Sequence, residues 1–344
     1  MASRHELVTI AAPERDTERH RIRQLPVLVL HAHTSCHCRC IMCDIWKSKD
    51  SLALRPADLE PHLQSIRRLG VRWVVFSGGE PLLNRDWPRL CSLLQRENIR
   101  LTLLTTGLLL GKHAVQIAAL FDDIIVSLDG PEPIHDAIRR VDRAFSLLRS
   151  SVDAVRQQQT SMMITARTTV QKMNHAHLCE TVATAKQLNL NGISFLASDL
   201  TSEAFNRPQA WPADRQREVA LSADEASVLD AEIESLIEDH REEIESGYVA
   251  ESPEKLRRIA RHFRAHLGLN STESPRCNAP WASAVIEADG TVRPCFFHRP
   301  IGNIHHAPLD DVINSENALA FRSGLDIPNN PICKRCVCSL NYRF

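Results

Sequence analysis

The sequence predicts an α/β fold organised on a parallel sheet, and three observations carry that expectation. Six short apolar runs recur between residues 26 and 200: "LPVLVLHA", "VRWVVFS", "IRLTLLTT", "DDIIVSLD", "SMMITARTTV" and "NGISFLAS". Amphipathic stretches separate them, so β-then-α units follow one another and require crossover helices. Polar, glycine-bearing or cysteine-rich segments stand directly after the first four runs, which in a parallel sheet collects them on the carboxyl rim where such folds keep their sites.

Each element has its own signal. "LPVLVLHA" leads into "HTSCHCRCIMCDIWK". In "RPADLEPHLQSIRRLG", Leu59, Leu63, Ile66 and Leu69 recur at helical spacing and Gly70 marks the stop. The second run closes on "SGGEP", the third on "TTG" and the fourth on "SLDG". Residues 201–275 read as a helical linker. Ser222 and Glu225 form a capping box that opens a helix ending at Gly247, and Ser252 with Pro253 opens the next. The charges of this region read as a solvated helical face. From Pro275 the composition turns β-rich, with a hairpin signal at Ala288-Asp289-Gly290. The expected division is an N-terminal extension at 1–25, the β/α region at 26–200, the linker at 201–275 and a small cysteine-rich hairpin domain at 276–344.

The chain has 344 residues, 43% hydrophobic and 24% charged, with a formal net charge of −1. It carries no broad basic field to recruit nucleic acid or an acidic membrane surface. No apolar run approaches a membrane span, and the charged N-terminus lacks the apolar core of a secretory signal. Eleven cysteines without such a signal point to a reducing, cytoplasmic setting, where clustered cysteines hold metal more often than they form disulfides. Cys91 and Cys179 lie in apolar helical contexts and read as small core residues. The others fall in two groups.

The first group is Cys36, Cys38, Cys40 and Cys43. A structural zinc site would use all four, whereas three thiolates at Cys36-x3-Cys40-x2-Cys43 leave one position open for a substrate or cofactor. This spacing, with Met42 before the last cysteine, "DIW" after it and "SGGEP" after the next strand, resembles the signature of radical S-adenosylmethionine enzymes. The resemblance implies a partial (β/α)6 TIM-type barrel in which Cys36, Cys40 and Cys43 hold a [4Fe–4S] cluster, Cys38 is not a ligand, and S-adenosylmethionine chelates the open iron. It further implies that Glu80, with Ser77 and the backbone of Gly78 and Gly79, meets the methionine amino group. Thr105, Thr106 and Ser127 would bond the ribose and Arg167 would pair the methionine carboxylate. Read alone, "GGE" is also a plain strand-to-helix turn, and Arg167 a surface or interdomain ion pair.

The second group is Cys277, Cys295, Cys333 and Cys336, with Cys338 as a surplus thiol able to replace Cys336. On spacing alone it fits structural zinc and iron–sulfur equally. Behind a radical S-adenosylmethionine barrel it resembles the twitch domain, a shortened SPASM extension, which implies an auxiliary [4Fe–4S] cluster. The resemblance implies radical hydrogen abstraction, with an external electron donor such as flavodoxin or ferredoxin. A closed auxiliary cluster suits oxidation of a C–H bond, for which His298 and Asp129 are candidate bases. The short segment before the first strand favours a small polar metabolite, a sugar or aminocyclitol of natural-product biosynthesis. The alternatives are maturation of a ribosomally made peptide and, in another class, a zinc-stabilised binding protein without catalysis.

Overall fold

A computed structural model describes residues 18–207 and 209–343. Residues 1–17 of the expected N-terminal extension, Pro208 and Phe344 lie outside the described residues. The six apolar runs form β1 (Val27–His33), β2 (Trp73–Gly78), β3 (Arg100–Thr105), β4 (Asp123–Ser127), β5 (Met163–Val170) and β6 (Ile193–Ala197). All pair in parallel with their sequence neighbours, as a chain of crossover units requires. The arrangement is the expected partial barrel.

Alternation along β5 shows how the barrel is divided. Ile164, Ala166, Thr168 and Val170 are buried, whereas Thr165, Arg167 and Thr169 are half-buried. The buried set packs with the helical layer, to which Leu148, Val152 and Val155 of Ala144–Gln158 and Leu178 and Val182 of Leu178–Gln187 contribute. Each such aliphatic side chain contributes roughly 1.5–3 kcal/mol. The other face is left for polar chemistry. There Ser127, Arg167 and Ser194 stand in register on three adjacent strands and make a polar row.

The hairpin expected within residues 276–344 continues the barrel sheet. Its strands β7 (Ser283–Ile286) and β8 (Thr291–Arg293) are joined by β9 (Gly302–Asn303) into one nine-stranded sheet of order β6-β5-β4-β3-β2-β1-β7-β8-β9. β7 pairs in parallel with β1. All four residues of β7 are buried, which suits a strand covered on both faces. The two cysteine groups are thereby tied to neighbouring strands.

Three further details bear on the site. Pro61 splits the helix expected near Leu59–Leu69 into Pro56–Leu59, a 3-10 turn Glu60–His62 and Leu63–Arg68, before Gly70 turns the chain at φ 63°. The linker region opens without regular structure before its helices Ala213–Arg217, Ala223–Asp239, Arg241–Glu245 and Pro253–His266. Ser222 caps as expected, accepting from Glu225 N while Glu225 accepts from Ser222 N. Among the described residues no helix is long and apolar enough to cross a membrane.

Candidate active site and two cysteine centres

The loop after β1 is fastened from three sides. Gly79 N donates to His33 O at 2.8 Å and Glu80 N to Ser35 O at 2.9 Å, joining it to the turn after β2. Arg39 N and Ile41 N donate to the carbonyls of Arg139 and Ile138, the end of the helix Glu132–Arg139. The irregular segment before residue 213 straps the far side. Arg207 donates to Met42 O at 3.2 Å and Trp211 Nε1 to Asp44 Oδ2 at 2.6 Å. A Cβ on Gly79 would overlap the Ser35 carbonyl, and one on Gly78 would lie 2.7 Å from His33 O. The glycines of "SGGEP" therefore admit the backbone of the cysteine loop itself.

The thiols of this loop are unlike one another. Cys38 is buried and keeps its proton, raised by hydrogen bonding to Cys36, then to Cys40, and by burial. The same bond from Cys38 lowers the Cys40 thiol to about 7, with Arg139 adding to the pull against burial. Burial pushes Cys43 up to about 12, opposed by the Ile45 N–H and Arg207. Two buried guanidiniums thus attend this loop. Arg139 Nη1 lies 3.5 Å from Cys40 Sγ, and Arg207, stacked 3.6 Å over Trp211 and paired with Asp199 at 2.6 Å, acts on Cys43. Buried cations and N–H donors aimed at sulfur fit a thiolate-bound anionic cluster. Among the described residues no three Cys, His, Asp or Glu side chains converge within reach of one ion. A cubane, whose thiolates sit on separate irons, does not need that convergence.

Glu80 is fully buried and already engaged. Its carboxylate accepts from Leu82 N at 3.2 Å, Thr105 Oγ1 at 2.8 Å, Thr106 N at 2.9 Å and Thr106 Oγ1 at 2.7 Å. Both threonine hydroxyls donate to Glu80 and orient it, and their lone pairs stay available to accept from a ribose hydroxyl. His37 of the cysteine loop reaches the same group, its Nε2 3.2 Å from Thr106 Oγ1. Ser77 stands opposite His31 of β1, half-buried. Arg167 donates through Nε to Ser194 Oγ at 3.3 Å.

The two candidate bases are both buried. Asp129 is fully buried, ion-paired to Arg139 at 2.6 Å, and accepts from Thr169 N at 3.1 Å. Burial pushes its carboxyl above the usual range and Arg139 pulls it back. It holds Arg139 in place. His298 is buried, with Nε2 3.4 Å from Cys333 Sγ and its ring 4.9 Å from that of Phe321. It attends the second cysteine group. In that group Cys295 faces the N–H groups of Phe297 and His298, and Ala279 N donates to Cys277 Sγ at 3.5 Å. Cys336 is half-buried and interacts with Cys295 and Cys277, whereas Cys338 is exposed.

A cavity of about 440 Å³ lies between the polar row and the second group. Arg167 and Ser194 belong to the barrel wall, Arg258 and His262 to the helix Pro253–His266, and Cys336 and Cys338 to the loop opposite. Arg258 donates to Cys336 O at 3.0 Å. Burial lowers His262 to about 4, so its ring is neutral near pH 7. Glu251 also lines the cavity, accepting from Phe195 N at 2.8 Å. Sequence reasoning missed Arg139, Arg207, Glu251 and His262. Each lies in a charged helical or loop stretch where nothing local separates a site residue from a solvated one.

Comparison with known proteins agrees with this geometry. The radical SAM superfamily model matches residues 32–184, and the iron–sulfur cluster-binding SPASM domain matches 277–337. A probable GTP 3',8-cyclase of Methanococcus maripaludis is 34% identical over 117 residues, 33% of this chain and 39% of that protein. One from Sulfolobus acidocaldarius is 29% identical over 123 residues, 35% of this chain and 38% of that protein. The matches thus span well under half of those relatives' own length. Among solved structures, Streptococcus suis SuiB bound to S-adenosylmethionine superposes with TM-score 0.63 at 16% identity, covering 94% of this chain and 75% of that one. AdoMet-bound anSMEcpe gives 0.64 at 19%, covering 91% and 86%. At these identities the likeness is one of fold. Both cysteine groups fall inside the two matched regions: residues 32–184 carry a radical SAM superfamily domain and residues 277–337 an iron–sulfur cluster-binding SPASM domain, and S-adenosylmethionine and [4Fe–4S] clusters are the cofactors that these domains imply.

Proposed function

We propose that this enzyme oxidises a C–H bond of a small polar metabolite, of sugar or aminocyclitol type, bound in the 440 Å³ cavity. The observation that carries the reading is the double border of that cavity. Arg167 and Ser194 of the barrel's inner face form one wall, and Cys336 and Cys338 of the auxiliary loop form another. The volume suits a small molecule. Cys36, Cys40 and Cys43 hold the catalytic cluster. Cys277, Cys295, Cys333 and Cys336 hold the auxiliary one. When bound and reduced by an external donor of flavodoxin or ferredoxin type, the first centre and S-adenosylmethionine would supply a 5′-deoxyadenosyl radical for hydrogen-atom abstraction, and the auxiliary centre would take the electron that the substrate radical gives up.

The chain's own groups do the rest. Glu80, oriented by Thr105 and Thr106, faces the methionine amino group. Ser77 and the Gly78–Gly79 backbone border the same end. Ser127 and Arg167 serve the ribose and methionine carboxylate. Arg139 and Arg207 hold positive charge beside the cluster thiolates. His262, which lines the cavity, joins His298 and Asp129 as a candidate to accept the substrate proton.

The test is 5′-deoxyadenosine formation by the anaerobically reconstituted enzyme under strong reductant, with small-metabolite and peptide pools supplied separately. GTP belongs in the first pool because the cyclase relatives are named for it. A rise above the uncoupled background with small metabolites supports the reading. A rise with peptides alone replaces it with peptide maturation. Zinc without acid-labile sulfide in the purified protein replaces it with a structural metal protein.

A further inference from the structure

The cavity's charge is uneven in a chain whose net charge is −1. Six basic side chains line it, Arg167, Lys255, Arg258, Arg261, Lys334 and Arg335, against the carboxylates of Glu251 and Glu273. Within the helix Pro253–His266 the pairing pattern separates two faces. Arg257 is ion-paired to Glu234 at 2.6 Å, and Arg264 is paired to Asp230. Both partners belong to the neighbouring helix Ala223–Asp239. Arg261, on the border, is paired to Glu254 at 2.5 Å and Glu273 at 3.6 Å. Lys255 and Arg258 form no ion pair among the described residues. Together with His262 they repeat at i, i+3 and i+7, which sets all three on the side of the helix that borders the cavity. Lys334 and Arg335 on the opposite loop are likewise without an ion pair among the described residues. The helix thus holds its outward cations in ion pairs, whereas Lys255 feels the charge of the Glu251 carboxylate without pairing to it.

Cluster thiolates account for part of this charge. Arg258 bonds the Cys336 carbonyl and acts on Cys336, Cys338 and Cys277. They do not account for Lys255, one helical turn nearer the helix start.

We propose that the cavity recognises an oxyanion on the substrate, a phosphate ester or a carboxylate, between Lys255 and Arg258 on the helix and Arg335 on the facing loop. Arg167 is left to the methionine carboxylate. The proposal rests on the small-metabolite reading above and narrows it to an anionic metabolite.

The test uses the full-length reconstituted enzyme and calorimetric titration with pyrophosphate, inorganic phosphate and citrate, at matched ionic strength against chloride. Saturable binding of at least one probe is expected. Preference for the phosphates or for citrate identifies the oxyanion. Lys255→Gln should weaken that binding roughly tenfold, the scale of one charge-assisted hydrogen bond. Arg257→Gln, on the paired face, should leave it unchanged, with the iron content of both variants as in wild type. Absence of saturable binding, or equal loss in both variants, overturns the proposal. Deoxyadenosine formation distinguishes its failure from that of the broader reading. Stimulation by neutral metabolites alone, unaffected by Lys255→Gln, overturns the oxyanion and keeps the small metabolite. Stimulation by peptides alone overturns both.

Discussion

Arg139 is ion-paired with the Asp129 carboxylate at 2.6 Å while the Arg139 Nη1 stands 3.5 Å from the sulfur of Cys40. Neither member of the pair is more than 7% exposed. The ion pair therefore positions a cation against a cluster ligand, and breaking it leaves a buried guanidinium half-compensated. Asp129→Asn should destabilise the metal-free chain by about 3–5 kcal/mol, the usual cost of orphaning a buried charge. The loss should be smaller in the reconstituted enzyme, where the Cys40 thiolate remains as partner. Chemical denaturation of both forms checks this; equal stability of variant and wild type in both would show the pair to be idle.

Glu80 accepts four hydrogen bonds from Leu82, Thr105 and Thr106. Glu80→Ala leaves those donors buried and unmatched, so it should cost about 1–3 kcal/mol of stability besides weakening S-adenosylmethionine binding. Equilibrium dialysis with labelled S-adenosylmethionine and a thermal melt separate the two effects. Unchanged affinity would remove Glu80 from the cofactor site and leave it a structural brace.

Gly79 and Gly247 give a matched comparison. A methyl on Gly79 collides with the Ser35 carbonyl at the base of the cysteine loop, whereas a Cβ on Gly247 meets nothing within 4 Å. Gly79→Ala should lower iron incorporation sharply. Gly247→Ala, at φ 79°, should show only the modest strain of a left-handed residue and normal iron. Iron and sulfide analysis after identical reconstitution reads the difference. Equal iron in both variants would mean that the loop tolerates displacement.

His135 is fully buried, accepts from Asp129 N through Nδ1 at 3.2 Å, and is lowered to about 3 by burial and then by Arg139. Because the folded value lies below the unfolded one, the unfolded chain takes up the proton first as pH falls. The contribution is fully present above about pH 6.5 and is lost as pH falls toward 3, at about 1.4 kcal/mol per pH unit. His31 and His262, both lowered to about 4, act in the same direction. Urea denaturation at several pH values should show this slope in wild type and a shallower one in His135→Gln. Parallel slopes would mean that His135 titrates alike in both states.

Much of the fold could be read from local pattern. The six apolar runs became β1 to β6 because burial on one face and crossover helices on the other leave little choice of pairing. Ser222 and Ser252 cap helices because their hydroxyls satisfy N–H groups within three residues. The cysteine spacings were legible for the same reason: each motif is short. What escaped notice depends on distant parts of the chain. Arg207 lies more than 160 residues from Met42, whose carbonyl it holds. β7 joins β1, which its own alternation does not foretell. Thr105 and Thr106 donate to Glu80, which belongs to the motif one strand earlier, a pairing that local sequence does not reveal. Asp129 and His298 bear the right chemistry, and their burial against Arg139 and Cys333 is likewise set by distant parts of the chain.

The most direct measurement is 5′-deoxyadenosine formed under strong reductant by wild type, Cys38→Ala and Cys40→Ala, each reconstituted anaerobically with iron and sulfide. Cys38 holds its proton between Cys36 and Cys40, whereas Cys40 is the acidic thiol beside Arg139. Wild type and Cys38→Ala are predicted to produce 5′-deoxyadenosine, and Cys40→Ala none above the buffer background. Production by Cys40→Ala together with silence in Cys38→Ala would contradict the assignment of Cys36, Cys40 and Cys43 as the catalytic set.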